Sequence, residues 1–386
     1  MMMRACVRGT ALAGVLAMAG LGLAAEPAMA AGSAATAGWQ ISYQLPVQNG
    51  DSDSVEAIAA TGLGNAWAFG GQLDVVSGQA EGVPAAFHWN GTAWSQVSLP
   101  APMQEGYFSA ASASSASDVW AISSSCEGCD TFAGHWNGTA WSWNAGVANA
   151  YSVAALSGSD VWVAAQAGLE HWNGDSWRTY TAPGPNGVSS VAGLAADEVW
   201  AAGMGSGGLQ PEATFWNGKA WSLQKLPTIK LPTNGQAIPA QVVADAQNNV
   251  WMEGYIQWPD PTTQLEDYQP FVLHWNGTAW SRLEVPASLP ANTGFTELTG
   301  DGGSGFWALN VALQTVGTGI TPAEELVHYN GSKWTVEALP AIPDSTPGTT
   351  SVTGLFQIPG THQVWAPATY DNSSGQPNDL IFRYIP

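Results

Sequence analysis

One phrase recurs along most of this sequence. Its first full copy is residues 88–94, His-Trp-Asn-Gly-Thr-Ala-Trp, and related copies follow at 135–141, 171–177, 215–221, 274–280 and 328–334. A second phrase, of the Asp-Val-Trp-Ala type, alternates with the first. Its tryptophans are Trp67, Trp120, Trp162, Trp200, Trp251, Trp307 and Trp365, with a mean spacing of about 50 residues. A period of this size is typical of folds in which each unit is one small sheet packed on the next.

Each unit contains four short segments that are typical of β-strands. In the third unit these are 152–156, 160–165, 168–172 and 177–180, which are rich in Val, Ala and Trp and bounded by Gly, Ser, Asn or Asp. The repeated Asn-Gly pair predicts a type I′ hairpin, with positive φ at both central residues. Helical periodicity is absent after the first thirty residues. Each unit is therefore predicted to be a four-stranded antiparallel sheet.

Three aromatic positions per unit set the number of units at seven. Nineteen of the 21 Trp and two Tyr fill these positions, which leaves only Trp143 and Trp258 outside the pattern. Residues 38–42 match the outermost strand of a unit, and residues 380–384 match the strand before it. The prediction is an all-β, seven-bladed β-propeller whose N-terminal strand completes the last blade and closes the ring. An open solenoid is the alternative, but it would need polar caps at its ends.

The two alternating phrases resemble the repeat units of secreted bacterial β-propellers, and the likeness covers residues 38–386. They resemble the kelch and galactose-oxidase type of propeller more distantly. The kelch Gly-Gly doublet occurs once in the matching place, as Gly70-Gly71. The resemblance implies the fold and no single activity, because propellers carry many functions.

The first thirty residues are typical of a secretory signal peptide. Arg4 and Arg8 precede an apolar run over 11–25, and Ala28-Met29-Ala30 matches a signal-peptidase site, so we predict cleavage after Ala30. The apolar run is shorter than the ~20 residues that span a bilayer, and a retained membrane anchor is the alternative. We therefore expect one propeller domain over residues 31–386, with no membrane span in the mature chain, secreted to the extracellular space.

The charge balance argues against nucleic acid as a partner. The chain has 9 Lys+Arg against 30 Asp+Glu, a net charge of −21, whereas nucleic-acid binding needs a basic surface. After the signal segment only Cys126 and Cys129 remain, and outside the cell they are expected to form a local disulfide. A metal site there would lack a recognised ligand spacing, and the acidic run 51–54 lacks the glycine and distal glutamate of a calcium loop. No metal and no cofactor is expected.

The repeated polar residues have structural explanations. Histidines at equivalent positions of successive blades lie around a ring and cannot converge on one ion; they are His88, His135, His171, His274 and His328. We expect them to pack between blades or to bond to backbone carbonyls. Asp118 and Asp160 are expected to cap turns by accepting bonds from backbone amides two residues on.

A binding site is expected on the face of the disc that carries the variable connections. Tight turns lie on the opposite face, and variable loops on a rigid scaffold are where binding usually occurs. The connection between residues 255 and 268 contains one off-pattern Trp. Its candidate ligand-binding residues are Tyr255, Trp258, Asp260 and Tyr268. Aromatic faces near carboxylates suit a sugar ring or a cation. The alternative is that Trp258 caps its own blade.

No catalytic residues are assigned from the sequence. The hydrolase elbow and zinc-protease motifs are absent. A propeller sialidase needs three converging arginines, but of the three after the signal segment Arg178 and Arg282 are expected on outer strands and cannot meet at the axis. We predict a secreted, non-catalytic propeller that binds an extracellular glycan or protein through its loop-rich face. The alternative is an extracellular carbohydrate-active hydrolase or lyase with acidic residues near the propeller axis, and a third is a purely structural surface protein. Two carboxylates converging at the inner rim of the loop-rich face, near aromatic side chains, would favour the enzyme.

Overall fold

The computed structural model describes residues 37–44, 53–76, 79–100, 107–124, 131–147, 150–166, 168–263, 265–313 and 324–386. By internal contacts the chain separates into Met1–Ala34 and Ala35–Pro386, and all described residues belong to the second unit. The predicted signal segment, Cys126 and Cys129 lie outside the described residues. The described ranges contain strands and turns, and no helix in them is long and apolar enough to cross a membrane.

The strands form seven antiparallel sheets, the blades of a seven-bladed β-propeller. In blades 1 to 6 the innermost strand is followed in the chain and in the sheet by the second strand. The innermost strands are Asp53–Gly62 (β2), Tyr107–Ser115 (β6), Ala150–Ser157 (β10), Pro185–Ala195 (β14), Gln236–Ala246 (β18) and Thr293–Gly300 (β22). The second strands are Asn65–Val76 (β3), Asp118–Ser124 (β7), Asp160–Ala165 (β11), Glu198–Gly205 (β15), Asn249–Pro259 (β19) and Phe306–Ala312 (β23).

The outer half of each blade contains the repeated phrase. The third strands are Gln79–Trp89 (β4), Thr131–Trp136 (β8), Gly168–Trp172 (β12), Pro211–Trp216 (β16), Glu266–Trp275 (β20) and Glu324–Tyr329 (β24). The outermost strands are Trp94–Gln96 (β5), Trp141–Val147 (β9), Trp177–Tyr180 (β13), Trp221–Leu223 (β17), Trp280–Leu283 (β21) and Trp334–Glu337 (β25). In the third unit the sequence-based strands agree with the observed ones, apart from a longer innermost strand.

Blade 7 is built from both ends of the chain, as predicted. Its inner position is divided between Ser351–Val352 (β26) and Phe356–Gln357 (β27), followed by Val364–Asp371 (β28) and Pro377–Ile385 (β29). The N-terminal strand Gly38–Gln44 (β1) then pairs antiparallel with β29 as the outermost strand, with Trp39 opposite Tyr384. The first strand in sequence therefore completes the last blade.

Contacts between blade 7 and blade 1 close the ring. The Trp365 ring of blade 7 lies 5.6 Å from that of Trp89 and 5.2 Å from that of Trp94, both in blade 1. Nearer the axis, the Thr353 hydroxyl donates to the Val55 carbonyl oxygen. The same kinds of contact join the blades that are neighbours in sequence, so the closure predicted from the matching ends is confirmed.

The tryptophans of the second strands pack between neighbouring blades. All seven are at most 2% exposed. At five interfaces this ring meets the outermost-strand Trp of the next blade nearly edge to face, as in Trp162–Trp221 at 5.0 Å and 87°. Aromatic pairs in this geometry are worth about 0.5–1.5 kcal/mol beyond the area they bury. Off-pattern Trp143 is also structural, since its ring packs 4.8 Å from that of Phe132.

The Asn-Gly turns differ from the predicted type I′ geometry. Gly91 has φ of 95°, whereas Asn90 is not among the described residues with positive φ. Strand pairing ends at Trp89 and Trp94, which makes the loop four residues long. Within it the Asn90 side-chain oxygen accepts bonds from the backbone N–H of Thr92 and Ala93, both at 3.0 Å. This Asx-type bonding holds the loop without a second left-handed residue.

The repeated histidines are structural, as expected, but their partners are side chains. In blade 2 the His135 ring stacks 4.3 Å from that of Trp120, and its Nε2 lies 2.7 Å from Asp118 Oδ1. His171 makes the same 2.7 Å contact with Asp160. The prediction that these aspartates cap backbone amides is therefore replaced, because each carboxylate is turned to the imidazole of its own blade. Blades 1 and 5 use asparagine there.

Candidate functional site

A central cavity of about 390 Å³ lies on the axis of the propeller. Every blade contributes lining residues, from its innermost strand or, in blade 7, from Leu355 and Phe356 at the break in that strand. The cavity is polar for a protein interior, because hydroxyl, amide and carboxyl groups are interspersed with alanines and valines along its wall. A concave site with a few convergent polar groups is the usual form of a ligand pocket.

A β-bulge in each complete blade determines which side chains face this cavity. The register between the innermost and second strands shifts at the same place in blades 1 to 6. The residues passed over are Glu56, Ser109, Tyr151, Ser189, Ala240 and Thr296, and all six line the cavity. Bulges re-aim side chains and are common beside functional sites. Glu56 and Tyr151 stand out in a ring that otherwise consists of small residues.

Many polar groups on the wall are used to join neighbouring blades. The Ser152 hydroxyl of blade 3 bonds both to the carbonyl (3.1 Å) and to the N–H (3.2 Å) of Val191 in blade 4. Ser190 and Val242 repeat this pair between blades 4 and 5. Gln241 accepts from the N–H of Leu298 at 2.8 Å between blades 5 and 6. These side chains hold the ring together and are poor candidates for recognising a ligand.

Two carboxyl groups on the wall have no such structural partner. Within the described residues, Glu56 of blade 1 and Glu297 of blade 6 make no hydrogen bond, although both border the cavity. Burial, together with the negative charge of Glu56, raises the pKa of Glu297 from 4.5 to about 8. Glu297 is therefore mostly protonated at neutral pH and able to donate a hydrogen bond, while Glu56 supplies negative charge nearby.

A third carboxyl group lies behind the wall. Glu253, on β19 of blade 5, is completely buried, and neither of its carboxyl oxygens has a hydrogen-bond partner among the described residues. The other blades have an apolar residue at this position, two after the second-strand Trp. Burial and then the charge of Glu297 raise the pKa of Glu253 well above 4.5. This neutral acid adds to the acidic character of the blade 5–6 side of the cavity.

The predicted loop between residues 255 and 268 is mostly strand. β19 continues to Pro259 and β20 begins at Glu266, so the connection shrinks to residues 260–265. The two strands pair to the tip, with Trp258 opposite Asp267. Trp258 is half-buried and packs against the apolar core between blades 4 and 5, a cluster that includes Ile229 and Ile256. This is the blade-capping alternative for Trp258.

The other predicted ligand residues do not join Trp258. Side chains alternate along a strand, so Tyr255 lies on the opposite face of β19 from Trp258, next to Gly294 of blade 6. The Tyr255 and Tyr268 rings meet edge to face at 5.8 Å. At the tip, Asp260 accepts from the Thr262 N–H at 2.6 Å, and this backbone bond lowers the pKa of its fully exposed carboxyl. The four residues are thus divided among two faces and a turn.

Glu56, Tyr151 and Glu297, which line the candidate site, are not among the residues predicted from the sequence. Each is a single departure at a position that is small or polar in the neighbouring units. That signal is visible only when the innermost strands are aligned on the first tight turn of each unit. The two repeated phrases lie on the second, third and outermost strands, whereas the axis is lined by the innermost strands. Among the described residues no group of three or more His, Cys, Asp or Glu could hold a metal ion.

Comparisons with known proteins show the fold. No protein-family model and no curated protein matches the chain. Among solved structures, it is similar to YCF48 from Cyanidioschyzon merolae, with a TM-score of 0.50 and 12% identity over 90% of this chain and 99% of that one. It is also similar to a GH74 xyloglucanase from Xanthomonas campestris, with a TM-score of 0.52 and 14% identity. That match covers 89% of this chain but only 55% of the xyloglucanase.

A third similar structure is a PL25 ulvan lyase bound to a saccharide of glucuronate and sulfated rhamnose. Its TM-score is 0.50 and its identity 10%, over 85% of this chain and 93% of the lyase. At such identities the likeness concerns the propeller fold alone. The neighbours include carbohydrate-active enzymes and other propeller proteins. The function of this chain has to be argued from its own residues.

Proposed function

We propose that this protein is a secreted propeller that binds a saccharide in its axial cavity, entered from the loop-rich face. The observation that carries the proposal is the pair Glu56 and Glu297. These two carboxyl groups line a cavity that also carries several hydroxyl groups, and they have no hydrogen-bond partner among the described residues. Both side chains are half-buried, and a carboxyl group that lines a cavity without a protein partner can pair with a bound ligand.

The charge of the cavity selects the class of saccharide. None of the described lining residues is Lys, Arg or His, while two are carboxyl groups. An anionic sugar would meet repulsion from Glu56 without a compensating cation. A neutral or amino sugar would instead offer hydroxyl or ammonium donors to Glu56 and accept a hydrogen bond from protonated Glu297. We therefore expect neutral or amino saccharides, not uronates or sulfated sugars.

A glycan array with four proteins tests the location of the site. Ala240→Trp fills the axial cavity from a bulge position, while Asp260→Ala and Trp258→Ala alter the site predicted from the sequence. We expect wild-type binding to neutral or amino glycans that is lost in Ala240→Trp and kept in Asp260→Ala. Binding lost only in the variants of 258 and 260 would instead place the ligand on the blade 5 hairpin. No binding by the wild type contradicts the proposal.

A second candidate function is hydrolysis of a glycoside bond in the same cavity. The observation in its favour is the pairing of an acid whose pKa is raised to about 8, Glu297, with a second carboxyl group, Glu56, whose charge it senses. Glycoside hydrolysis uses such a pair, one protonated to donate to the leaving oxygen and one charged to activate water or to attack the sugar. Tyr151 and Phe356 supply aromatic surface at this cavity.

Incubation with neutral oligosaccharides and a reducing-end assay tests this second candidate. Hydrolysis should fall at least ~100-fold in both Glu56→Gln and Glu297→Gln, as removal of an acid or base commonly costs 10²–10⁴-fold. Glu284→Gln, at an exposed acid directly after the outermost strand of blade 5, is the matched control. Binding without cleavage by the wild type supports the lectin form and excludes hydrolysis of the tested glycans.

Other parts of the sequence-based prediction stay proposals. Cleavage after Ala30, secretion, the Cys126–Cys129 disulfide and membership of the secreted bacterial repeat type all belong here. Mass spectrometry of the secreted mature protein under non-reducing conditions tests the first three together. The expected result is a chain beginning at residue 31 that is 2 Da lighter than the reduced form.

A further inference from the structure

A second cavity of about 700 Å³ opens on the loop-rich face, beside the axial one. It lies where the inner ends of blades 3, 4 and 5 meet, at the starts of β14 and β18 and the end of β15. Tyr151 and Ser189, two of the bulge residues, line both cavities. The two cavities therefore lie side by side and share part of their walls.

The walls of this second cavity are mainly apolar and carry no charge. Val188, Met204, Ile238 and Pro239 provide its apolar surface, and none of its described lining residues is Asp, Glu, His, Lys or Arg. Gly187 keeps it open, because a Cβ there would meet no atom within 4 Å. A mainly apolar cavity next to a polar one fits a ligand in which a polar unit is joined to a less polar unit.

Tyr151 is the most unusual residue at this place. It is 54% exposed, whereas the corresponding bulge residues of the adjacent blades are serines. A large aromatic ring left in solvent at a cavity rim has no packing role of its own to explain it. It presents a flat apolar face with a hydroxyl at its end, which suits the apolar face of a sugar ring.

We infer that the second cavity is a neighbouring subsite that holds the next unit of an uncharged oligosaccharide, with Tyr151 at the junction of the two subsites. This inference rests on the proposed binding of a saccharide in the axial cavity. The axial subsite recognises one sugar through Glu56 and Glu297. The neighbouring subsite contributes apolar contact and should therefore make affinity rise with chain length.

The experiment is a titration of gluco-, xylo- and chito-oligosaccharides of one to four units, followed by NMR. Two variants perturb the neighbouring subsite, and Gly187→Leu perturbs it alone because Gly187 lines only the second cavity. Tyr151→Ser installs the residue found in blades 2 and 4, and Gly187→Leu fills the open space without a backbone clash. Leu223→Ser, at a side chain 51% exposed on the outermost strand of blade 4, is the matched control. Near-UV circular dichroism checks that each variant is folded.

For wild type we expect at least ~10-fold tighter binding of the trisaccharide than of the monosaccharide. Gly187→Leu should abolish this gain and leave monosaccharide affinity within about twofold. Tyr151→Ser, at the junction of the two cavities, should abolish the gain and also weaken monosaccharide binding. Affinity that is independent of length in wild type, or a length gain that survives both variants, overturns the subsite while leaving the axial site standing. Monosaccharide binding that survives Ala240→Trp, or no binding at all, overturns the axial site and the subsite with it.

Discussion

At the scale of single residues, repetition separates structural roles from functional ones. Asp118, Asp160 and Asp301 each hold the histidine of their own blade, and Asn65 and Asn249 do the same elsewhere. A residue type that makes the same contact in several blades has a structural role in each of them. Glu56, Tyr151, Glu253 and Glu297 occur once each at their positions, and three of them meet at the axial cavity.

The first prediction concerns the carboxylate that holds His135. Asp118 Oδ1 bonds His135 at 2.7 Å and accepts from Trp120 Nε1 at 3.1 Å. Asp118→Ala leaves both donors without a partner and should lower the free energy of unfolding by about 1–3 kcal/mol. Asp118→Asn installs the side chain that blades 1 and 5 use and should cost clearly less. Urea unfolding followed by Trp fluorescence measures both, and equal losses would contradict this role for the oxygen.

The second prediction concerns pH. The folded-state pKa of Glu297 is raised to about 8 from 4.5, so the fold holds this proton more tightly than the unfolded chain. Its contribution to stability is complete below about pH 4.5 and is lost as the pH rises towards 8. Between pH 5 and pH 8 the free energy of unfolding should therefore fall less in Glu297→Gln than in wild type. Urea unfolding at each pH measures this free energy.

The dependence of the unfolding free energy on pH should become weaker in Glu297→Gln but should not disappear. Burial and the charge of Asp301 raise the pKa of Asp245 to about 7, which acts in the same direction. The exposed Glu284→Gln variant is the control and should reproduce the wild-type slope. A Glu297→Gln slope identical to wild type would show that Glu297 is not buried as a neutral acid.

At the scale of elements, the bulges of the innermost strands determine what reaches the axis. In blades 1, 4 and 5 a glycine lies opposite the bulge: Gly70, Gly203 and Gly254. A Cβ at any of them would overlap a backbone carbonyl oxygen of the innermost strand. Gly70 therefore has a packing reason within this chain, whatever its likeness to the kelch doublet.

The third prediction tests this close approach. Gly203→Ala should destabilise the protein by about 1–3 kcal/mol, because a Cβ there collides with the carbonyl oxygen of Gly187. Gly207→Ala, in the exposed connection of the same blade, meets no atom within 4 Å and should be neutral or slightly stabilising. Thermal unfolding of the two variants side by side makes the comparison, and a neutral Gly203→Ala would argue against a tight bulge.

At the scale of the whole molecule, stability depends on a strand that is remote in sequence from the rest of its blade. β1 pairs with β29, and Trp39 in β1 is 7% exposed, with its ring 5.2 Å from that of Trp307 in blade 6. Without β1 the ring has an exposed edge at β29 and an opened blade 6–7 interface. Exposed edges invite aggregation.

The fourth prediction compares two truncated chains. A chain that begins at residue 37 keeps β1 and should show one cooperative thermal transition. A chain that begins at residue 45 lacks β1 and should unfold at a markedly lower temperature and aggregate on size-exclusion chromatography. Trp39→Ala in the longer chain should lose about 3–5 kcal/mol, as expected when a buried Trp is removed. Equal stability of both chains would contradict closure by β1.

The sequence by itself determined the class of fold, the number of blades, the order of strands and the closure of the ring. These properties follow from local patterns, namely alternating strand residues, Asn-Gly turns and a Trp at equal intervals, which recur in each unit. The turn type and the partners of Asp118 and Asp160 were wrong, because side-chain hydrogen bonds compete with backbone geometry in ways that residue types alone do not rank.

Only the tertiary structure decided which residues meet in the axial cavity. Tyr255 and Trp258 are close in sequence, but strand alternation turns them to opposite faces. Glu56 and Glu297 are far apart in sequence, but the closed ring brings them to one cavity. The physical reason is that every blade contributes residues to the axis. The side chains that line it therefore come from the whole chain, and no short stretch of sequence contains them.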